Sequence, residues 1–142
     1  MYTTFNYVTT DDAIARALDN LASCVTPPGT IVIDMANMLY HAVHGFRLTL
    51  TERFQRQRVR YTRRVHHQVD LVENLWHHHE HLSVAPTRGA RHTVDEEHVL
   101  RSISIPELRL HIRRSRLKDR AMQVLTGYSA HGTQDRLIAI IR

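Results

Sequence analysis

The fold is decided by residues 50–82, which read LTERFQRQRVRYTRRVHHQVDLVENLWHHHEHL. No proline or glycine interrupts this stretch, and Thr49 followed by Glu52 is typical of a capping box at the start of a helix. The apolar residues fall on one seam of alternating four- and three-residue steps, whose remaining positions are Arg58, Gln68 and His79. The apolar residues are Phe54, Tyr61, Val65, Val72, Leu75 and Leu82. The pattern predicts one helix about 45–50 Å long at 1.5 Å per residue, packing its apolar seam on the chain's own helices or on a neighbouring subunit.

The N-terminal segment predicts helices around one short strand. Thr9 and Asp12 precede apolar residues at helical spacing, which predicts a helix over about 11–24. Ile-Val-Ile at 31–33 is a β-branched run typical of a buried strand, and residues 35–43 are expected to be helical after it. A strand of this length predicts a small sheet at best.

The C-terminal segment predicts further helices. Thr93 begins a short acidic helix, and Ser104 opens another that ends near Gly127. The apolar residues 136–141 form either a strand or a last helical turn, and Ser129 and His131 are interpreted as loop residues. We therefore expect a mainly α single domain over 1–142. Its parts are an α-β-α-like unit (1–45), a long basic and histidine-rich helix (46–83) and a C-terminal helical part (84–142).

Arginine supplies almost all of the positive charge. The chain has 142 residues, a net charge of +5 and 19 lysines and arginines, of which only Lys118 is lysine. Guanidinium stays charged and grips phosphate with a fixed fork, so this composition favours a nucleic acid as partner, RNA rather than DNA. Cys24 is the single cysteine and is expected to be a buried, inert thiol. Its isolation rules out an internal disulfide and favours an intracellular protein over a secreted one.

Two arginine-rich segments are the predicted phosphate contacts. The alternative is a solvated surface whose arginines pair with Glu52, Asp70 or the acidic residues 95–97. The candidate nucleic-acid-binding residues are Arg53, Arg56, Arg58, Arg60, Arg63 and Arg64 in the first segment, and Arg109, Arg113, Arg114, Arg116 and Arg120 in the second.

The histidines form the next pattern. On a helix, His77 and His81 stand one turn apart, the spacing at which helical histidines chelate zinc or another divalent metal. A closed site needs further ligands from another element, such as His92, His98 or His111. The alternative is a row of solvated, pH-responsive histidines.

Residues 31–42 read IVIDMANMLYHA, a strand that ends in Asp34 with Asn37 on the helix that opens after it. This motif resembles the first motif of the PIN-like and flap-endonuclease-like 5′-nucleases. The resemblance implies that Asp34 binds a catalytic divalent metal, with Asn37 as a supporting polar group. The alternative is that Asp34 caps the helix.

We expect a basic, non-enzymatic structural protein of a larger nucleoprotein assembly such as a ribosome-like particle, although the sequence leaves the question of enzyme activity open. No catalytic residue and no cofactor are assigned. The first alternative is a metal-dependent nuclease, or an inactive remnant of one, with Asp34 as ligand of Mg²⁺ or Zn²⁺. The second is a helical protein-protein scaffold that uses the seam over 54–82.

Overall fold

The computed structural model describes residues 4–26, 28–44, 47–126 and 135–142. Of these residues, 46% lie in strands and 26% in helices, so the prediction of a mainly α fold is wrong. The helices are α1 (Asp11–Cys24), α2 (Met38–Val43) and α3 (Ile105–Arg113), with a 3₁₀ turn at Thr4–Tyr7. The strands are β1 (Ile31–Ala36), β2 (Thr49–Arg56), β3 (Val59–Asp70), β4 (Leu75–Pro86), β5 (His92–Arg101), β6 (Met122–Thr126) and β7 (Arg136–Ile141).

The chain divides into two compact units, 1–45 with 101–142, and 46–100. The first unit holds a three-stranded sheet in the order β1-β7-β6, and the second a four-stranded sheet in the order β2-β3-β4-β5. Because β7 is antiparallel to both of its neighbours, β1 and β6 run parallel. No helix in the described ranges is long and apolar enough to span a membrane.

The first unit owes its core largely to the inward-facing residues of β1 and β7. In β7, Leu137, Ala139 and Ile141 are buried while the residues between them are half-buried, as the two-residue period of a strand requires. Helices α1 and α3 add their apolar stripes to this layer. The buried members are Ile14, Leu18, Ile31, Ile33, Met35, Ile103, Leu108, Ile112, Leu117, Leu137, Ala139 and Ile141.

The long helix predicted over 50–82, and with it the helix assigned to 46–83, does not exist: these residues form β2, β3 and most of β4. The seam of apolar residues is also a strand pattern, because Tyr61, Val65 and Val69 lie an even number of residues apart on β3. Two turns that lack glycine and proline separate the strands. The first places Gln57 and Arg58 at φ 48° and 64°. In the second, the Asp70 carboxylate accepts the main-chain N–H groups of Val72 and Glu73 at 2.8 and 3.0 Å.

Other predictions have mixed outcomes. The helix over 11–24 and the strand at 31–33 are confirmed, although the following helix begins at Met38 instead of residue 35. Thr93 lies in β5, so the short acidic helix is wrong, as is the C-terminal helical part over 84–142. The helix after Ser104 is confirmed with its capping box but ends at Arg113. Gly127, Ser129 and His131 lie outside the described residues, and the tail 136–141 is a strand.

Candidate functional site

The predicted arginine sites do not lie on two helices. Arg53, Arg56, Arg60, Arg63 and Arg64 are strand residues, Arg58 lies in the β2–β3 turn, and in the second segment only Arg109 and Arg113 lie on α3. Arg120 instead donates to the main-chain oxygens of Gly29 and Val25 at 2.8 and 3.4 Å, a contact that holds the chain segment before β1.

Arg63 forms a two-pronged ion pair in the second unit. Its Nε and Nη2 donate to the two carboxylate oxygens of Glu80 at 2.8 and 2.7 Å, and Nη1 donates to Glu52 at 3.1 Å. The hydrogen bond that Arg63 donates to Glu80 raises the pKa of Arg63 against the effect of partial burial, and the same bond lowers the pKa of Glu80. Arg63 is therefore a structural residue of this sheet, since its donors are committed to carboxylates.

The histidines do not form the predicted metal site. His77 and His81 lie on β4, where His81 Nδ1 is 2.6 Å from the Asp95 carboxylate and His77 Nδ1 is 3.8 Å from Glu97. The described part of the chain brings together one group of three possible metal ligands, Asp11, Glu107 and His111. Arg101 already neutralises that group, because its Nη2 is 2.7 Å from each of the two carboxylates. Its hydrogen bond lowers the pKa of Asp11.

The carboxyl end of β1 is the candidate functional site. Asp34 lies here with an exposed side chain, and Arg136 at the start of β7 donates from Nε to Asp34 Oδ1 at 2.9 Å and pairs through Nη2 with Oδ2. Asn37, and not Asp34, caps α2, since its Oδ1 accepts the Tyr40 N–H at 3.2 Å. Sequence reasoning missed Arg136, for which the only signal was a charged residue opening an apolar tail. The local nuclease resemblance of 31–42 stays a prediction.

A groove of about 550 Å³ adjoins Asp34. Its lining is mainly apolar, and Val32 is 62% exposed to solvent. Cys24, expected to be buried, is exposed here. The lining includes Phe5, Val8, Ala17, Leu21, Cys24 and Val32.

Strand β1 has an open edge beside this groove. The Asn37 N–H donates to Asp135 at the β7 side, whereas the Ala36 N–H donates to the side chain of Asn6 on the opposite side. Because the main-chain groups of a strand alternate in direction, those of Val32 and Asp34 point to the same side as those of Ala36. Within the described residues, no strand pairs with that side of β1.

No protein-family model matches the chain, and no curated protein is similar to it in sequence. Solved structures do resemble it. An S-adenosylmethionine-dependent methyltransferase from Clostridium acetobutylicum has a TM-score of 0.67 and 14% identity over 96% of this chain and 53% of its own length. The SAM-bound amino pentose methyltransferase CalS10 from Micromonospora echinaspora has a TM-score of 0.74 and 11% identity, and the match covers 100% of this chain and 56% of CalS10. The sugar N-methyltransferase KedS8 from Streptoalloteichus has a TM-score of 0.71 and 14% identity, and the match covers 100% of this chain and 54% of KedS8.

The chain therefore has a methyltransferase-like fold and spans about half the length of the structures it matches. This fold contradicts the prediction of a structural ribonucleoprotein subunit, and neither the nuclease nor the helical scaffold fits it. The cofactor prediction, none or a divalent metal, is wrong for the same reason, because the similar structures are SAM-dependent enzymes. Nucleic acid as a partner stays a prediction.

Proposed function

We propose that this chain is one half of a SAM-dependent methyltransferase, the half that receives the methyl acceptor, with an amino sugar as the acceptor class. One observation carries the proposal: essentially the whole chain, 96–100% of it, matches methyltransferases that are nearly twice as long. Two of the three matched enzymes are named as methyltransferases of amino or N-methylated sugars.

The described residues do not fit SAM by themselves. A nucleoside cofactor in an open α/β sheet approaches the main chain closely at a strand-to-helix turn, which glycines permit. The turn from β1 to α2 contains Asn37 and no glycine, and the described glycines, Gly29 and Gly89, lie elsewhere. We infer that the other half of the fold holds SAM.

The open edge of β1 and the apolar groove fit that other half as their occupant. Addition of a strand would satisfy the outward main-chain groups of Val32 and Asp34. An apolar face of the other half, packed on Phe5, Leu21 and Val32, would remove these three side chains from water. In α/β sheets that are covered on both sides, the strands are buried on both faces. The outer face of β1 is not buried in this way, because Val32 is 62% exposed. The groove thus marks where the fold continues in the longer methyltransferases.

Asp34 is the proposed contact to the methyl acceptor. Ligands of open α/β sheets bind at the carboxyl ends of strands, and Asp34 lies in the carboxyl-terminal half of β1. Arg136 fixes the orientation of its carboxylate, which leaves oxygen lone pairs to accept a hydrogen bond from an amine or hydroxyl of the acceptor. Orientation of the amine toward the methyl donor is the contribution that such a contact makes to the rate.

The test supplies the missing half. The chain is co-expressed with the part of CalS10 that it does not cover, and transfer of radiolabelled methyl groups to amino sugars is measured. We expect transfer by the pair, none by the chain alone, and loss of co-purification on Val32→Asp but not on the matched Leu110→Asp, an exposed leucine outside the groove. Asp34→Asn should keep SAM binding by the pair and lower transfer. An assembled pair that binds SAM and transfers no methyl group would refute the proposal.

A further inference from the structure

We infer that one face of the four-stranded sheet holds a binding pocket for a phosphate-bearing small molecule. The pocket has a volume of about 440 Å³ and its lining is mainly polar. The inference is independent of the proposed methyl transfer, because every residue it uses lies in the second unit. The lining residues are Arg53, Arg60, Arg64 and Arg91, with Thr62, Ser83, Thr93 and His81.

Strand register brings these side chains together. Arg60, Thr62 and Arg64 alternate along β3 and so point to one face of the sheet. Arg53 on β2 pairs with Thr62, and on the other side Ser83 of β4 pairs with the same residue. Two guanidinium groups from β3 and one from β2 therefore surround a row of hydroxyl groups. This arrangement depends on the strands, and a helix over the same residues would have scattered it.

The four arginines of the pocket lack the carboxylate partners that Arg63 has on the same sheet. Arg63, which points to the opposite face, is bound by Glu80 and Glu52. Within the described residues, Arg53, Arg60, Arg64 and Arg91 make no ion pair, and the nearby Asp95 carboxylate is bonded to His81 at 2.6 Å. Like charges crowded at one site repel one another, and an anion between them removes that repulsion.

Ser83 adds an independent observation. It is only 7% exposed, yet its hydroxyl makes no hydrogen bond within the described part of the chain. Its hydroxyl lies in the wall of the pocket, where it can donate a hydrogen bond to a ligand oxygen. Guanidinium forks and hydroxyl donors together are the donor set that phosphate oxygens accept, and the volume suits a small ligand.

The experiment is titration calorimetry of the whole chain with inorganic phosphate and with pyrophosphate at about physiological ionic strength. We expect saturable binding of pyrophosphate that weakens at least about tenfold in the double variant Arg60→Gln/Arg64→Gln, since two charge-assisted contacts are lost. The control is Arg56→Gln/Arg58→Gln, which removes the same charge from exposed arginines outside the pocket and should change the affinity less than about twofold.

Each outcome decides the question. Trp76 is buried in this sheet and is the only tryptophan, so its fluorescence shows whether every variant is folded. Ser83→Ala, a smaller change, should also weaken pyrophosphate binding. Absence of saturable binding by the folded chain overturns the inference, as does equal weakening in the control, which would reveal a mere net-charge effect. Binding of an oligonucleotide that pyrophosphate does not displace would assign the surface to nucleic acid instead.

Discussion

At the residue scale, folding clearly opposes the protonation of the His67 side chain. It lies on β3 opposite His78, with the ring centroids 4.8 Å apart. Partial burial, followed by the nearby charges of His78, His66 and Arg63, lowers the pKa of His67 from 6.5 to about 4. Between these values the unfolded chain binds the proton and the folded chain does not. His67 therefore costs no stability above about pH 6.5, and destabilises the fold progressively as the pH falls through this window toward 4.

The prediction concerns the acid sensitivity of the second unit. His67→Gln removes the titrating group, so the urea midpoint followed by Trp76 fluorescence should fall less steeply between pH 7 and 4 than in the wild type. His66→Gln is the matched control, because this neighbouring histidine points to the other face and is exposed. If the urea midpoints of the wild type and of His67→Gln changed with pH in the same way, burial of His67 would not contribute to the acid sensitivity.

At the scale of elements, the β2–β3 hairpin carries a conformational cost in its turn. Gln57 and Arg58 both have positive φ, at 48° and 64°, the geometry of a type I′ turn that asparagine and glycine adopt readily. The main-chain oxygen of Arg58 accepts hydrogen bonds from the N–H and the Oγ1 hydroxyl of Thr87 at 3.1 and 2.6 Å. A substitution of the Arg58 side chain leaves both hydrogen bonds in place.

Arg58→Gly should therefore stabilise the chain by about 0.5–1 kcal/mol, because glycine relieves the strain of positive φ. Equilibrium urea unfolding measures the change. Arg56→Gly is the contrasting variant: it places glycine inside β2 and should destabilise by a similar amount. A lower unfolding free energy for Arg58→Gly would contradict the turn assignment.

These turns also explain how far the sequence could predict the fold. Local signals sufficed where they were unambiguous, as with α1, β1 and the Ser104 capping box of α3. They failed at 50–82, because Gln57 and Arg58 carry no turn signature and the apolar spacing satisfies both periods. The useful signals were the even spacing of Tyr61, Val65 and Val69, and Asp70 with Asn74 at the second turn.

The candidate site was only partly accessible to sequence reasoning. Asp34 was identified from its place after a short strand, but its partner Arg136 is 102 residues away in sequence. The pairing depends on β7 lying beside β1, which a single sequence does not reveal. The arginine pocket was missed for the same reason, since it depends on the register of β2, β3 and β4.

At the scale of the whole molecule, apolar burial is concentrated in one unit. All twelve members of the buried core cluster belong to the first unit, whereas Val65 and Trp76 are the buried apolar residues described in the second. The four-stranded sheet therefore depends more on main-chain pairing and on ion pairs such as Arg63 with Glu80. Substitutions that create cavities should be most damaging in the first unit.

Leu108→Ala tests this distribution. Leu108 is fully buried in the core, so its truncation should lower the unfolding free energy by about 2–5 kcal/mol. Leu110→Ala, two residues along the same helix and 43% exposed, should cost less than about 1 kcal/mol. Chemical denaturation followed by far-ultraviolet circular dichroism measures both. Equal losses for the two leucines would show that α3 does not pack as described.

The unpaired edge of β1 has a consequence for handling the protein. A strand edge with free amide and carbonyl groups is a template for aggregation, and Ile31–Ala36 contains a single charge, Asp34. Asp34 thus acts as a gatekeeper against precipitation as well as lying at the candidate site. Expressed on its own, the chain should lose solubility when Asp34 is neutralised, so activity assays of such variants need a measure of soluble protein beside them.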